Sequence, residues 1–144
     1  MKIIVSCLFL IPLLSFSQNQ QGITDYAKSI TPNELKELTP NATIGISLEE
    51  DLGLNYRYAL PNKIFDYLHA NVPVIVADLP EMRNLIKKHP IGEILTERTH
   101  KILAKTIINM TSISYEKELK TAKKELNWSE EKEKLISIFS KLDK

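Results

Sequence analysis

An α/β fold built on a parallel sheet is what this sequence predicts, and three observations carry the prediction. Short apolar runs rich in Val and Ile recur at Ala42 to Ser47, Val72 to Ala77 and Ile91 to Leu95. Each is followed by a stretch in which apolar residues fall at helical spacing. Between the first two runs, a polar loop leads into a helix beginning at Pro61, and Asn71 marks a tight turn before the strand Val72 to Ala77. That strand has no polar alternation, so it reads as buried, and a second helix opens at Pro80. This order is half of a parallel α/β sheet with its element ends free for ligands.

The N-terminal residues stand apart from this pattern. Met1 and Lys2, then the apolar run Ile3 to Leu14, then Ser15 to Ser17, have the layout of a secretory signal peptide ending in small residues. The run is short for a membrane span. Lys2 to Ser6 also fits a buried strand, but the apolar run continues through Leu14 with no Gly-rich turn, which favours the signal-like reading of residues 1–17. Residues 18–30 read as a polar linker with one short strand near Tyr26.

Residues 31–144 carry the globular pattern. Across the 144 residues, 43% hydrophobic and 26% charged is a globular composition, and a formal net charge of +1 offers no basic surface for nucleic acid or an anionic membrane. The lone Cys7 has no partner for a disulfide or a metal. His69, His89 and His100 lack ligand spacing and read as exposed or locally hydrogen-bonded. No metal or haem motif is present, and no cofactor is expected.

In chain order, Thr31 and Glu34 form a capping box for a helix over Pro32 to Leu38, and Ala42 to Ser47 follows as a strand. Leu48 to Tyr58 reads as a loop holding the acidic cluster Glu49, Glu50 and Asp51. Asp78 places a carboxylate ahead of the Pro80 helix, which buries Met82, Leu85 and Ile86. Ile91 to Leu95 is a short strand. Glu97 to Met110 is a helix with Leu103, Ile107 and Met110 along one stripe, and Tyr115, Leu119, Ala122 and Leu126 mark the next. A final helix is capped by Ser129, with Glu130 and Glu131 in its first turn and Leu135, Ile138, Phe139 and Leu142 as its buried face, part of which is left exposed where a second domain to brace is missing.

The Pro61 helix start is the most informative point. Pro61 at the first helical position surrenders an N–H that would be orphaned anyway, and Leu60 before it has no side chain that can cap. The amides of Asn62 and Lys63 are left open, and the positive end of the helix with the Lys63 charge suits an anion. Asn62, Lys63 and Asp66 lie on one side, and Ile64, Phe65 and Leu68 face the sheet. Against this stands the commoner outcome, in which Asn55 or a backbone carbonyl folds back as the cap.

The runs Leu60-Pro61-Asn62-Lys63-Ile64-Phe65-Asp66-Tyr67, Ala70-Asn71-Val72-Pro73-Val74-Ile75 and Asp78-Leu79-Pro80-Glu81-Met82 resemble the donor-binding domain of GT-B-fold glycosyltransferases. Ala42 to Ser47 and Leu54 to Tyr56 are similar to that family's strand and nucleotide-facing loop. The resemblance runs from about Ile30 to the C-terminus and implies an incomplete Rossmann-like sheet, the C-terminal half of such an enzyme. It implies that the helix start faces the diphosphate of a nucleotide-sugar and that Asp66, where the family has Glu, holds the ribose hydroxyls. Asn71 replaces the family's Gly. The first acid of the family's paired-Glu motif falls at Tyr58, which cannot serve, and Glu49, Glu50 and Asp51 of the loop are the candidates to replace it, though spacing does not establish which.

The function implied is nucleotide-sugar binding for glycosyl transfer to a hydroxyl acceptor, without a metal, with Arg57, Asn62, Lys63 and Asp66 as donor-binding residues. No catalytic residue is assigned, because the acceptor domain and a general base are not found in this chain. The chain reads as a leader-like segment joined to part of a glycosyltransferase, inactive alone. The resemblance implies a cytoplasmic protein, whereas the signal-like N-terminus implies export. The alternative function is a non-catalytic exported α/β module that binds a partner, or a second copy, through its C-terminal helices.

Overall fold

The computed structural model describes residues 31–142, so the signal-like segment and the linker with its short strand lie outside it. The elements are α1 (Pro32–Leu38), a 3-10 turn (Thr39–Asn41), β1 (Gly45–Ser47), α2 (Leu54–Tyr58), α3 (Asn62–His69) and β2 (Val74–Ala77). There follow α4 (Pro80–Lys88), β3 (Gly92–Leu95), α5 (His100–Thr111), α6 (Glu116–Glu125) and α7 (Trp128–Leu142). The three strands form one parallel sheet in the order β1-β2-β3, with Gly45 opposite Val74 and Val74 opposite Gly92.

Every residue of β2 is buried, as a central strand flanked by helices requires. α3 packs on β1 and β2, and α4 on β2 and β3. The core joins Ile64, Tyr67 and Leu68 of α3 to Met82, Leu85 and Ile86 of α4, and to Leu119 and Ala122 of α6. Tyr67, unmarked in the apolar pattern, is one of its largest fully buried side chains.

The helix ends explain the boundaries. At α1 the capping box is complete: the Thr31 hydroxyl accepts the Glu34 N–H at 3.3 Å, and the Glu34 carboxylate accepts the Thr31 N–H at 2.7 Å. α3 closes in a Schellman motif, with Val72 N–H donating to the Tyr67 carbonyl and Asn71 N–H to the Leu68 carbonyl. Asn71 takes φ 58°, the left-handed conformation expected of it. α5 begins at His100 rather than Glu97 because Thr99 caps it, its hydroxyl accepting the Ile102 N–H.

Several expectations are corrected. Pro61 is the residue ahead of α3 and not its first, with ψ 138° and the helix starting at Asn62. The stretch Leu48 to Tyr58 is not all loop, since Leu54–Tyr58 forms α2 and packs against α4. Asp78 does not cap α4; its carboxylate instead meets the Arg83 guanidinium at 2.5 Å. α7 begins one residue before Ser129, and Asn127 caps it by accepting the Glu130 N–H at 3.0 Å.

The apolar face of α7 is uncovered, the outcome expected of a helix that lacks the domain it would brace. Every described side chain from Trp128 to Lys141 is exposed, including Leu135, Ile138 and Phe139. The helix follows its own periodicity but meets no element of the described fold that would cover it. His89 departs from its expected exposure: it is buried, its Nε2 has no hydrogen bond, and the nearest acid is Glu125 at 3.9 Å. His69 and His100 are exposed. No helix among the described residues is long and apolar enough to cross a membrane.

Candidate functional site

The carboxyl ends of β1 and β2 lead into the two loops that bound the candidate site. β1 ends at the fully buried Ser47, after which the chain turns through the acidic stretch Glu49 to Asp51 and α2 before α3. At the start of α3 no side chain caps the helix, and the one backbone bond that closes its first turn runs from the Ile64 N–H to the Pro61 carbonyl. The sequence expectation of an open start therefore holds. It does not single out this helix, because α4 also lacks a side-chain cap.

The two cations of the site are both engaged by the loop. Lys63 Nζ lies 2.5 Å from Glu49 Oε1, and the other oxygen of that carboxylate accepts the Ser47 hydroxyl at 2.8 Å. Arg57 grips Asp51 with both Nε and Nη2, at 2.9 and 2.7 Å from Oδ2. That guanidinium holds the Asp51 carboxyl below the ordinary carboxylate range, chiefly by hydrogen bonding, and Asp51 in turn raises the Arg57 pKa. Arg57 keeps 48% and Asp51 38% of its side-chain exposure, so the pair is screened by solvent and its contribution to stability is slight.

Asn62 and Asp66 stand exposed one turn apart on α3, and among the described residues no side chain pairs with the Asp66 carboxylate. Lys63 turns to Glu49 rather than to Asp66. The four expected residues thus lie on two successive helices between β1 and β2. No hydrogen bond or ion pair links their side chains to one another, and what joins the two cations is the acidic loop that each of them holds.

Two residues of this arrangement went unnoticed in the sequence. Ser47 carried a local signal, a hydroxyl at the last position of a buried strand next to acids. Arg98 carried none: it donates to the Leu48 carbonyl at 3.4 Å and to the Glu49 carbonyl, nearly fifty positions away. Together they tie the Glu49 loop to the sheet and to the segment after β3.

Two hollows among the described residues lie elsewhere. One of about 430 Å³ is lined by Thr43, Asn71, Pro73 and Tyr115, residues that precede the strands or open α6. Another of about 290 Å³ lies between His89 and Pro90 on one side and Thr121 and Glu125 on the other. Neither is lined by Arg57, Asn62, Lys63 or Asp66. Among the described residues no three His, Cys, Asp or Glu side chains converge as a metal would need.

Fold and site together define an α/β protein with a three-stranded parallel sheet flanked by helices and, after β1, an acidic loop paired with Arg57 of α2 and Lys63 of α3. Comparison with protein-family models, with curated proteins and with solved structures finds no match for this chain.

Proposed function

We propose that residues 31–144 are the donor-binding part of a GT-B-type glycosyltransferase, an incomplete Rossmann-like unit that takes a nucleotide-sugar. The observation that carries the reading is the uncapped start of α3, with Lys63 in its first turn, at the carboxyl edge of a parallel sheet. Ligands of open α/β sheets bind at that edge, and open amides at a helix start receive phosphate.

In this reading the amides of Asn62 and Lys63 with the Lys63 ammonium hold the diphosphate, and they take the place of a metal on the leaving group. Arg57 supplies a second positive contact once it leaves Asp51. The unpaired Asp66 carboxylate binds the ribose hydroxyls. No residue is assigned to catalysis, and the acceptor site belongs to a domain beyond these elements. Because nucleotide-sugars are cytoplasmic metabolites, the reading places the protein in the cytoplasm.

Titration calorimetry with UDP and GDP tests it. Weak binding is expected, reduced about tenfold or more by Lys63→Ala and by Asp66→Ala, as the loss of a charge-assisted hydrogen bond implies. Unchanged affinity in both variants would sink the assignment.

A second reading is supported by α7, whose exposed Trp128, Ile138 and Phe139 suit a partner surface. An exported, non-catalytic module that binds another protein through this helix would be found outside the cytoplasm with its mature N-terminus near Gln18.

A further inference from the structure

α7 presents an apolar stripe that no described element covers. Trp128, Leu135, Ile138 and Phe139 fall along one side of the helix, all of them exposed, while Glu130, Lys134, Ser137 and Lys141 occupy the opposite side. The chain contains a second apolar stretch, Ile3 to Leu14, which has no charged residue and is short for a membrane span. Both ends of the described chain adjoin the same edge of the sheet. The 3-10 turn after α1 leads within a few residues to the amino end of β1, and Glu125 at the end of α6 lies 3.9 Å from His89, which precedes β3. Residues 15–30, between the apolar stretch and α1, span up to about 50 Å when extended, more than the roughly 30 Å diameter of a small domain.

We propose that Ile3 to Leu14 covers the apolar stripe of α7, so that the stretch with the layout of a leader is a working part of the folded protein; this rests on the cytoplasmic reading above, in which residues 1–17 are retained. Coiled as a helix, the stretch is about 18 Å long, against about 22 Å for α7. A second copy fits less well. Two α7 helices laid together meet over a footprint of about 22 by 10 Å, whereas a stable dimer buries about 800 Å² on each partner. A tether lifts that requirement, because it holds the stretch at a local concentration on the order of millimolar. Since α7 packs on no other described element, the cover opens and closes independently of the sheet core, and it is read at α7 itself.

Cys7 and Trp128 are the only cysteine and the only tryptophan of the chain, so each reports on one side of this contact. In the full chain, Leu135→Cys, Ile138→Cys and Phe139→Cys are oxidised one at a time beside Ser137→Cys and Lys141→Cys, and the disulfide to Cys7 is quantified by non-reducing peptide mass spectrometry. At least one variant of the apolar side is expected to close the bond within one chain about tenfold faster than either variant of the opposite side, as a held rather than a wandering segment does. Phe9→Glu combined with Leu10→Glu is expected to abolish that difference and to shift the Trp128 emission to longer wavelength. Bonds formed between chains, at a rate that falls on dilution, overturn the proposal in favour of a second copy. Equal rates on both sides of α7, in a chain whose intact mass begins at Met1, overturn it and leave the cytoplasmic reading standing. A purified chain whose mass begins at Gln18 overturns both and returns α7 to the partner of an exported module.

Discussion

Gly45 lies so close against the ring of Tyr67 that a Cβ on it would sit 2.5 Å from the ring carbons Cγ and Cδ2. The contact lets α3 settle on β1, and it explains why a strand otherwise rich in Ile holds a glycine. Gly45→Ala should therefore destabilise the fold by about 1–3 kcal/mol, as overpacking does in a filled core. Gly92→Ala should cost more, because its Cβ would meet the Val74 carbonyl oxygen at 1.8 Å and backbone cannot swing aside. Urea unfolding of both variants checks the order, and equal stability of Gly45→Ala and the natural chain would mean that Tyr67 gives way freely.

Asn71 offers the complementary case. It holds φ 58° between α3 and β2, and its side-chain oxygen accepts a hydrogen bond from Lys123 of α6 at 3.1 Å. Asn71→Gly should leave stability within about 1 kcal/mol, since glycine enters the left-handed region freely. Asn71→Val should cost about 1–2 kcal/mol or more, the steric penalty of a residue with a branched Cβ there. Thermal unfolding would separate the two.

These two positions also mark what the sequence could disclose. Asn71 was legible because a polar residue between a helical stretch and a β-branched run has a local meaning. The three strands, the five helices α3 to α7 that flank and follow them and the Thr31 capping box were legible for the same reason, since periodicity and capping act within a few residues. What escaped is non-local. Glu49 was visible only as one acid among three, and its pairing with Lys63 depends on how the loop folds back. Arg98 reaches that loop from beyond β3, and Asp78 turned to Arg83 instead of its own helix start. The amphipathic spacing of α7 predicted a helix correctly, but spacing cannot say whether the apolar side meets this chain or another molecule.

The exposure of α7 makes a contrast with α6 that can be measured. Phe139 is 63% exposed, so Phe139→Ala should change stability by no more than about 0.5 kcal/mol. Leu119 on α6 is buried at 3% exposure, and Leu119→Ala should cost about 2–5 kcal/mol. Chemical denaturation of the two variants under one set of conditions tells them apart. A large loss from Phe139→Ala would show that α7 unfolds together with the sheet core.

The α1 capping box ties local structure to pH. The Thr31 N–H and hydroxyl hold the Glu34 carboxyl below its ordinary value. A depressed folded pKa means that this contribution is present above the unfolded value, near pH 4.3, and fades as pH falls through the folded one. Because Glu34 is fully exposed the effect is local. Amide exchange in the first turn of α1 should accelerate, after correction for the intrinsic pH dependence, as pH drops below about 4. Glu34→Gln, which can still complete the box, should lack that dependence.

At the other end of the pH range the informative group is Tyr115, which precedes α6 and donates its phenolic hydrogen to Glu93 Oε1 at 3.1 Å. Burial, then the Glu93 charge and the hydrogen bond to it, raise the Tyr115 pKa well above that of a free phenol. A raised folded pKa means that the phenol's contribution is complete below the unfolded value, about pH 10, and is lost as pH climbs from there toward the folded value. Ultraviolet difference spectra should therefore show Tyr115 still protonated at about pH 11, where a free phenol has ionised. The natural chain and Tyr115→Phe should then give the same phenolate absorbance at that pH. At neutral pH Tyr115→Phe should cost about 1 kcal/mol, the net worth of one hydrogen bond, because Glu93 is exposed enough to regain water. A natural chain with one phenolate more than Tyr115→Phe at pH 11 would show that α6 does not hold this ring against β3.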